Sequence, residues 1–219
     1  MQLWRLTWFT VACAAGATAL VQPPGIAIAW ALARGRFRGR TVLEAVVTLP
    51  LVMPPVATGL ILLMLLGRRG VVGRFLERVG VEVVFTWKAV VVAMAVMGLP
   101  LLVRTARAGF EHVDRRYEQV AATLGAAPLR AFLTVSLPLA WPSVIAGAVL
   151  AFARAVGEFG ATVVVAGSIP GATRTLAVAI YTYSETGRDA QALTLVAISA
   201  AIAFAALICS NALAGRRAA

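Results

Sequence analysis

Four long runs of this sequence carry no charged residue and are long enough to cross a bilayer as helices. They cover residues 6–33, 45–66, 131–153 and 190–215, and a fifth run, 83–103, is interrupted only by Lys88. Lipid offers no partner for backbone amides and carbonyls, so runs of roughly 20 residues must be helical. With 61% apolar residues, the chain is predicted to be one all-α integral membrane domain over residues 1–219. We expect about five spans, near residues 6–33, 45–66, 83–103, 138–165 and 190–213.

The net charge of +11 is distributed in a way that indicates membrane topology. The basic residues lie in short loops between apolar runs, so no nucleic-acid partner is expected. Placing three basic groups in the cytoplasm gives eleven basic residues inside and eight outside, with the N-terminus outside and the C-terminus inside. The inside groups are Arg34, Arg36, Arg38 and Arg40, then Arg104, Arg107, Arg115, Arg116 and Arg130, and finally Arg216 and Arg217.

The first apolar run has features of a secretory signal. Arg5 precedes it, and Ala17-Thr18-Ala19 resembles a cleavage site. The apolar character nevertheless continues to Leu32 and then meets the arginine cluster, as a membrane span does. We therefore expect residues 6–33 to remain as the first span.

Prolines interrupt three of the predicted spans. They are Pro23 and Pro24 in the first, Pro50, Pro54 and Pro55 in the second, and Pro100 in the third. Proline removes an amide donor and bends its helix, and such breaks survive at membrane depth only where protein or a water-filled cavity covers the freed carbonyls. Ordinary packing kinks and bends that shape a pathway are both open readings.

Residues 104–135 form the largest segment on the predicted cytoplasmic side. Its apolar positions at helical spacing are Val113, Tyr117, Val120, Ala121 and Leu124. Gly125 stands where a left-handed cap ends a helix, and Pro128 stands where a new helix begins. The pattern predicts an amphipathic helix, a tight turn and a second helix leading into Leu137-Pro138. Such a helix at the membrane surface suits docking in a partner's groove.

The same segment resembles the cytoplasmic motif of ABC importer permeases. That motif reads Glu-Ala-Ala, three residues, Gly, nine residues, Ile, any residue, Leu-Pro. The glycine and the Leu-Pro fall in register here, while Gln119, Val120 and Val135 depart from the pattern. The resemblance implies a coupling helix that seats on a separate ATPase subunit. The residues implied to couple are Tyr117, Glu118, Gln119, Ala121, Ala122, Leu124, Gly125, Ala126, Leu137 and Pro138.

Further stretches are similar to one branch of that family, the molybdate, tungstate and sulfate permeases. They are residues 48–55, 67–73, 151–162, 169–176 and 180–182. Within the branch, the Gly-Glu-Phe-Gly-Ala-Thr of residues 157–162 is most like molybdate permeases. The resemblance implies a type I ABC importer fold and a homodimer that imports molybdate or tungstate, with sulfate or thiosulfate as the alternative. An ATPase dimer would bind ATP-Mg, an external solute-binding protein would deliver the anion, and this chain would hold no cofactor.

Arg154 and Glu158 are ionisable residues inside a predicted span and are therefore functional candidates by default. One reading places Arg154 in the pathway as an attractor for an oxyanion. The other pairs it with Glu158 one helical turn away, and we favour this pair because an uncompensated cation would hold a divalent anion too tightly for release. Pathway candidates are Arg154, Gly157, Glu158, Gly160 and Thr162, with Gly147, Gly157 and Gly160 expected at close helix contacts.

The sequence predicts neither a catalytic site nor a metal-binding site. It contains no phosphate-binding glycine loop followed by lysine, and its one histidine, His112, has no triad-like neighbours. Cys13 and Cys209 lie in different apolar runs, so neither a disulfide nor a metal site is predicted. A secondary transporter or channel would call for inverted halves or a dense charge relay, and a membrane enzyme for clustered catalytic residues. We therefore predict a pore subunit without enzymatic activity.

Overall fold

A computed structural model describes residues 3–35 and 37–215, with side chains to residue 209. These residues form helices and no strand. The elements are α1 (Leu3–Arg34), α2 (Arg40–Val52), α3 (Pro55–Leu66), α4 (Val71–Arg78), α5 (Trp87–His112), α6 (Arg115–Thr123), α7 (Pro128–Ala131), a π-helical turn (Phe132–Ser136), α8 (Leu137–Val156), α9 (Gly160–Ala166), α10 (Leu176–Glu185) and α11 (Asp189–Gly215). The predicted all-α fold is confirmed.

The centre of the bundle is formed by α1, α5 and α8, which pack against one another. Small side chains such as Ala17, Ala93 and Ala151 are buried at these contacts. At Gly147 a Cβ would lie only 3.0 Å from the carbonyl oxygen of Leu102. Small residues let helix backbones approach closely in membranes, so the expected packing role of Gly147 is confirmed.

The second predicted span is not one continuous helix. Residues 45–66 divide between α2 and α3, which meet at an angle of 114°. Met53 and Pro54 form the break, and Pro55 opens α3. Neither proline donates an amide hydrogen bond, so the helical ladder cannot continue through this point. Residues 3–35 and 37–215 therefore contain four continuous helices able to span a membrane, or five spans if this bent pair counts as one.

The fourth predicted span also breaks. α8 ends at Val156 and α9 begins at Gly160, so the continuous helix expected over residues 138–165 is wrong. A carboxylate oxygen of Glu158 accepts a hydrogen bond from the amide of Ala161 at 2.8 Å, which satisfies a donor at the start of α9. This side-chain acceptor allows the chain to restart a helix after a three-residue interruption.

The third span lies further along the chain than expected. Residues 83–86 precede α5, and the Thr86 side chain accepts from the amide of Lys88 at its start. α5 then continues to His112, so the first part of the predicted coupling segment belongs to this helix. Apolar length alone does not mark these ends, because a helix can extend past the membrane into polar sequence.

Contacts between distant residues group the loops at two ends of the bundle. The side chain of Arg34 reaches the carbonyl of Val113 at one end, and Thr10 accepts from the amide of Leu176 at the other. The arginine cluster after α1 and the segment after α5 therefore share an end, as their grouping on one membrane side requires. Arg36, Arg216 and Arg217 lie outside the described residues.

Candidate functional site: the coupling segment and the broken spans

The segment after α5 has the predicted helix, turn and second helix. The side chain of Asp114 caps α6 by accepting from the amide of Arg116 at 2.9 Å. Gly125 has φ +81°, the left-handed conformation expected at the end of this helix. Pro128 is the first residue of α7, and the π-helical turn then leads into Leu137.

The large apolar side chains at α6 are mostly uncovered by the residues that the structure describes. Tyr117 and Val120 are each 57% exposed and Leu124 at its C-terminal end is 83% exposed. Gln119 and Ala122 are also exposed, while Ala121 and Ala126 are half-buried. No residue of the described helix α6 is buried. Exposed apolar residues beside charged ones are typical of a surface that binds another protein.

Glu118 differs from its neighbours because it points toward the bundle. Its carboxylate accepts from Nε of Arg34 at 2.9 Å and from the hydroxyl of Ser136. Nη2 of Arg34 donates to the carbonyl of Val113 at 2.6 Å. These bonds, which we call the Arg34 joint, tie the coupling helix to the end of α1 and the start of α8. The sequence did not predict that Arg34 and Ser136 bind Glu118. Arg34 follows an apolar run, so the sequence indicated only a role in membrane topology.

A second group of ion pairs lies at the same end. Nη1 of Arg107 is 2.6 Å from Glu44, and Nε of Arg107 donates to Glu111 at 2.8 Å. Arg40 approaches Glu111 at 3.8 Å. These contacts connect α2 with the C-terminal part of α5, so both helices are joined close to the coupling segment.

The predicted pair in the fourth span is present. Nη1 of Arg154 lies 2.6 Å from the carboxylate of Glu158, whose side chain is 1% exposed. The other carboxylate oxygen accepts from Ala161. Arg154 is therefore compensated, and its partner serves the helix break. The geometry favours the pair over a free cation in the pathway.

The two broken spans pack against each other where each resumes as a helix. A Cβ on Gly59 of α3 would lie 2.8 Å from Cα of Ala161, and one on Gly160 would lie 2.7 Å from Pro55. The expected close contact at Gly160 is confirmed. The close contact expected at Gly157 is wrong, because a Cβ added there would lie 3.9 Å from its nearest neighbour, the carbonyl oxygen of Arg154. The contact between Gly59 and Ala161 was not predicted from the sequence.

Hydroxyl groups around α9 differ in how they are satisfied. Thr173 accepts from the amide of Ile169 at 3.1 Å, Thr175 caps α10, and Ser168 accepts from Arg174. The hydroxyl of Thr162 is buried without a hydrogen-bond partner among the described residues. Thr162 therefore differs from the neighbouring hydroxyls, which take part in hydrogen bonds.

The exposed coupling helix and the broken spans can be compared with known transport proteins. A profile of the family described as binding-protein-dependent transport system inner membrane component matches residues 25–218. The chain belongs to this family. It is a multi-pass inner membrane component of a transport system, which decides against the secondary-transporter or channel alternative.

Related proteins in this family carry names that specify their transport systems. Molybdenum transport system permease protein ModB of Escherichia coli K12 is 44% identical over 210 residues, covering 95% of this chain and 92% of that protein. ModB of Haemophilus influenzae is 41% identical over 191 residues, covering 86% and 83%. Sulfate transport system permease protein CysT of Salmonella typhimurium is 41% identical over 157 residues, covering 72% of this chain and 57% of that protein.

Solved structures of other transporters show the same fold. The MetNI methionine ABC transporter in an inward-facing conformation matches with a TM-score of 0.68 at 18% identity, covering 96% of this chain and 95% of the other. A bacterial alginate ABC transporter in complex with an alginate pentasaccharide-bound periplasmic protein matches with a TM-score of 0.69 at 16% identity, covering 99% and 79%. The predicted type I ABC importer fold is thereby confirmed.

Proposed function

We propose that this chain is the permease subunit of an ABC importer that carries molybdate into the cytoplasm. The observation that carries the proposal is the 44% identity to the Escherichia coli molybdenum permease over 95% of this chain. Tungstate, which has the same charge and tetrahedral shape, is expected to use the same path. The chain binds no cofactor of its own, and hydrolysis of ATP-Mg takes place on a separate ATPase dimer.

The exposed side of α6 is the docking surface for that ATPase. Tyr117, Val120 and Leu124 present uncovered apolar area, and burying it in a cleft of the ATPase would be favourable. Gly125 closes the helix and turns the chain toward the second helix, so the position of the docking surface depends on its left-handed backbone.

Movement of the ATPase reaches the spans through the Arg34 joint and through α7. The joint connects α6 to α1, while the π-helical turn continues directly into α8. Leu137 and Pro138 at the start of α8 are therefore the first membrane residues to move with the coupling helix. Closure of the ATPase dimer below would in this way reorient the central helices.

Two further partners complete the importer. A second copy of this chain would enclose the pathway with the first, and an external solute-binding protein would deliver the oxyanion. The alginate transporter that shares this fold is in complex with a periplasmic protein, which supports a partner of that kind here. The coupling segment and C-terminus would lie in the cytoplasm and the N-terminus outside.

Sulfate import is the second candidate function. The sulfate permease CysT is 41% identical over 72% of this chain, so much of the shared pattern does not separate the two anions. Discrimination between them would rest largely on the solute-binding protein. The greater coverage by the molybdenum permeases favours molybdate.

The test is ATP hydrolysis by the complex reconstituted with its ATPase and binding protein, comparing molybdate, tungstate, sulfate and no anion. We expect stimulation by molybdate and tungstate. Gly125→Arg should abolish it, because the residue combines positive φ with an exposed place on the docking turn. Gly39→Arg is the matched control, since Gly39 also has positive φ and open space around it but lies outside the coupling turn.

Stimulation by sulfate alone would show that the importer carries sulfate and not molybdate. Hydrolysis that is indifferent to this subunit would contradict the importer assignment. Equal losses in Gly125→Arg and Gly39→Arg would attribute the effect to backbone strain and would argue against docking through this turn.

A further inference from the structure

Phe85 has a backbone conformation that residues with side chains seldom adopt. Its φ is 59°, and no other non-glycine residue in the described part of the chain has a positive φ. It is the third residue of a turn in which the amide of Thr86 donates to the carbonyl of Val83 at 3.2 Å. Glycine or asparagine is usual at this position, because a Cβ disfavours positive φ. The phenylalanine, whose ring is 56% exposed, therefore holds a strained backbone.

The strained turn connects two spans that are distant in sequence. The amide of Phe85 donates to the carbonyl of Val165 near the end of α9 at 3.1 Å. The ring of Phe85 lies over Gly167, where a Cβ would be 3.5 Å from the ring. These two contacts, which we call the Phe85 clasp, join the loop before α5 to the outer end of α9.

The helix that the clasp holds is short and is interrupted at both ends. α9 has seven residues and begins at Gly160, after the break at residues 157–159. It ends before Gly167, whose φ of +71° suits glycine. At Gly157 there is open space, since the nearest neighbour of an added Cβ would be 3.9 Å away. Both ends of α9 therefore have backbone that can change direction.

α3 is the close partner of α9. It also begins directly after a break, and an added Cβ on Gly59 would lie 2.8 Å from Cα of Ala161. An added Cβ on Gly160 would lie 2.7 Å from the side chain of Pro55. Helices in such close contact move more easily together than past each other. This pair meets the central helix α5 mainly through α9.

We propose that α3 and α9 swing as one unit about their two breaks, and that the Phe85 clasp holds this unit closed against α5 on the external side. The inference rests on the proposed function and names a positioning residue that controls access to the pathway from outside. Hinges of this kind are a few loop residues that absorb a change in φ and ψ. Because opening relieves the strain at Phe85, the clasp is easier to release than an unstrained hydrogen bond.

The experiment measures how fast a membrane-impermeant thiol reagent, added from outside, labels Val165→Cys in the reconstituted importer. Cys13 and Cys209 are first replaced by alanine. Val165 is 0% exposed, so labelling requires release of the clasp. Ala179→Cys in α10 is the control reporter, because it is equally buried but belongs to another cluster. ATP hydrolysis by each complex is recorded in parallel.

The first prediction concerns the transport cycle. We expect ATP together with the molybdate-loaded binding protein to raise the labelling rate of Val165→Cys several-fold, and to leave that of Ala179→Cys unchanged. An unchanged rate at Val165→Cys, in a complex whose ATP hydrolysis molybdate stimulates, would overturn the proposed gate.

The second prediction isolates the strain in the resting complex. Phe85→Ala and Phe85→Gly both lack the ring, and only alanine retains the strain of positive φ. We expect Val165→Cys to be labelled about fivefold more slowly with Phe85→Gly than with Phe85→Ala, because glycine favours the closed turn. Val79→Ala and Val79→Gly are the matched controls, since Val79 is an exposed residue nearby with φ −98°. Glycine should give no slowing there.

Equal labelling rates in the two Phe85 variants would show that the strain does not bear on opening and would overturn the clasp. Faster labelling of Ala179→Cys in the same variants would indicate general loosening of the bundle and would also reject it. If the unaltered complex does not respond to molybdate, the proposed function fails. The two Phe85 variants in the resting complex then still decide whether the clasp exists.

Discussion

Arg34 is the side chain that holds the coupling segment against the membrane bundle. It is 10% exposed, and it donates both to Glu118 and to the carbonyl of Val113. An arginine can make these two bonds together because its guanidinium group carries donors in several directions, whereas a lysine has a single ammonium group. The residue that ends the first span thus also connects the coupling segment to the bundle.

Removal of this joint should uncouple the importer. Arg34→Ala leaves Glu118 without its ion pair and the Val113 carbonyl without this donor, so we expect about 1–3 kcal/mol of local destabilisation. ATP hydrolysis in the reconstituted complex should then respond several-fold less to the loaded binding protein. Arg34→Lys should recover only part of the response.

Arg40→Ala is the control for this change. Arg40 is 38% exposed, and its distance of 3.8 Å from Glu111 is long for an ion pair. Its loss should therefore alter stability by less than about 1 kcal/mol. If Arg34→Ala and Arg40→Ala gave the same coupled hydrolysis as the unaltered chain, the joint would have no role in transmission.

At the scale of elements, two spans are built from paired helices with a break between them. The α2–α3 break follows from consecutive prolines, while the α8–α9 break contains Gly157 and is supported by the carboxylate of Glu158. The two resumed helices contact each other through Gly59 and Gly160. Backbone contact, and not large interlocking side chains, therefore sets how closely the two helices approach each other.

A methyl group at Gly59 should disturb this contact. In Gly59→Ala the new Cβ would lie 2.8 Å from Cα of Ala161, a backbone atom that cannot rotate away. We expect a loss of about 1–3 kcal/mol of stability from this overpacking. Gly157→Ala should change stability by less than about 0.5 kcal/mol, because its nearest neighbour is 3.9 Å away. Equal melting temperatures of the two purified variants would show that α3 and α9 do not meet this closely.

At the scale of the whole molecule, long-range contacts divide the loops between two ends. The loop after α1 and the coupling segment share one end through Arg34 and Val113. Phe85, which follows the basic loop after α3, donates its amide to Val165 near the end of α9 at 3.1 Å. The two basic loops should therefore face opposite sides of the membrane.

Thiol labelling of spheroplasts, in which the inner membrane is intact and its outer face is accessible, tests this arrangement. Cys13 and Cys209 are first replaced by alanine, and a single cysteine is then introduced at Arg38 or at Arg69, both exposed. We expect a membrane-impermeant reagent to label Arg69→Cys directly and Arg38→Cys only after the membrane is opened. The reverse pattern would invert the predicted orientation, and labelling of both from outside would contradict their separation by the bilayer.

Local sequence by itself determined the class of fold, four of the spanning helices in outline, and the coupling turn. Apolar length is decisive in lipid because the backbone must satisfy itself, and Gly125 and Pro128 end and begin helices through their own backbone preferences. The pairing of Arg154 with Glu158 was also predictable, because the two residues are four positions apart, although Glu158 lies in the break just after α8.

Only the tertiary structure decided where the second and fourth spans break, which residues hold α6 in place, and which hydroxyls remain without partners. The Arg34 joint connects residues 84 positions apart, and the contact of Gly59 with Ala161 joins two separate spans. Neither leaves a periodic signal, because each depends on how helices approach one another. For the same reason, an orphaned hydroxyl becomes visible only when every possible acceptor around it has been placed.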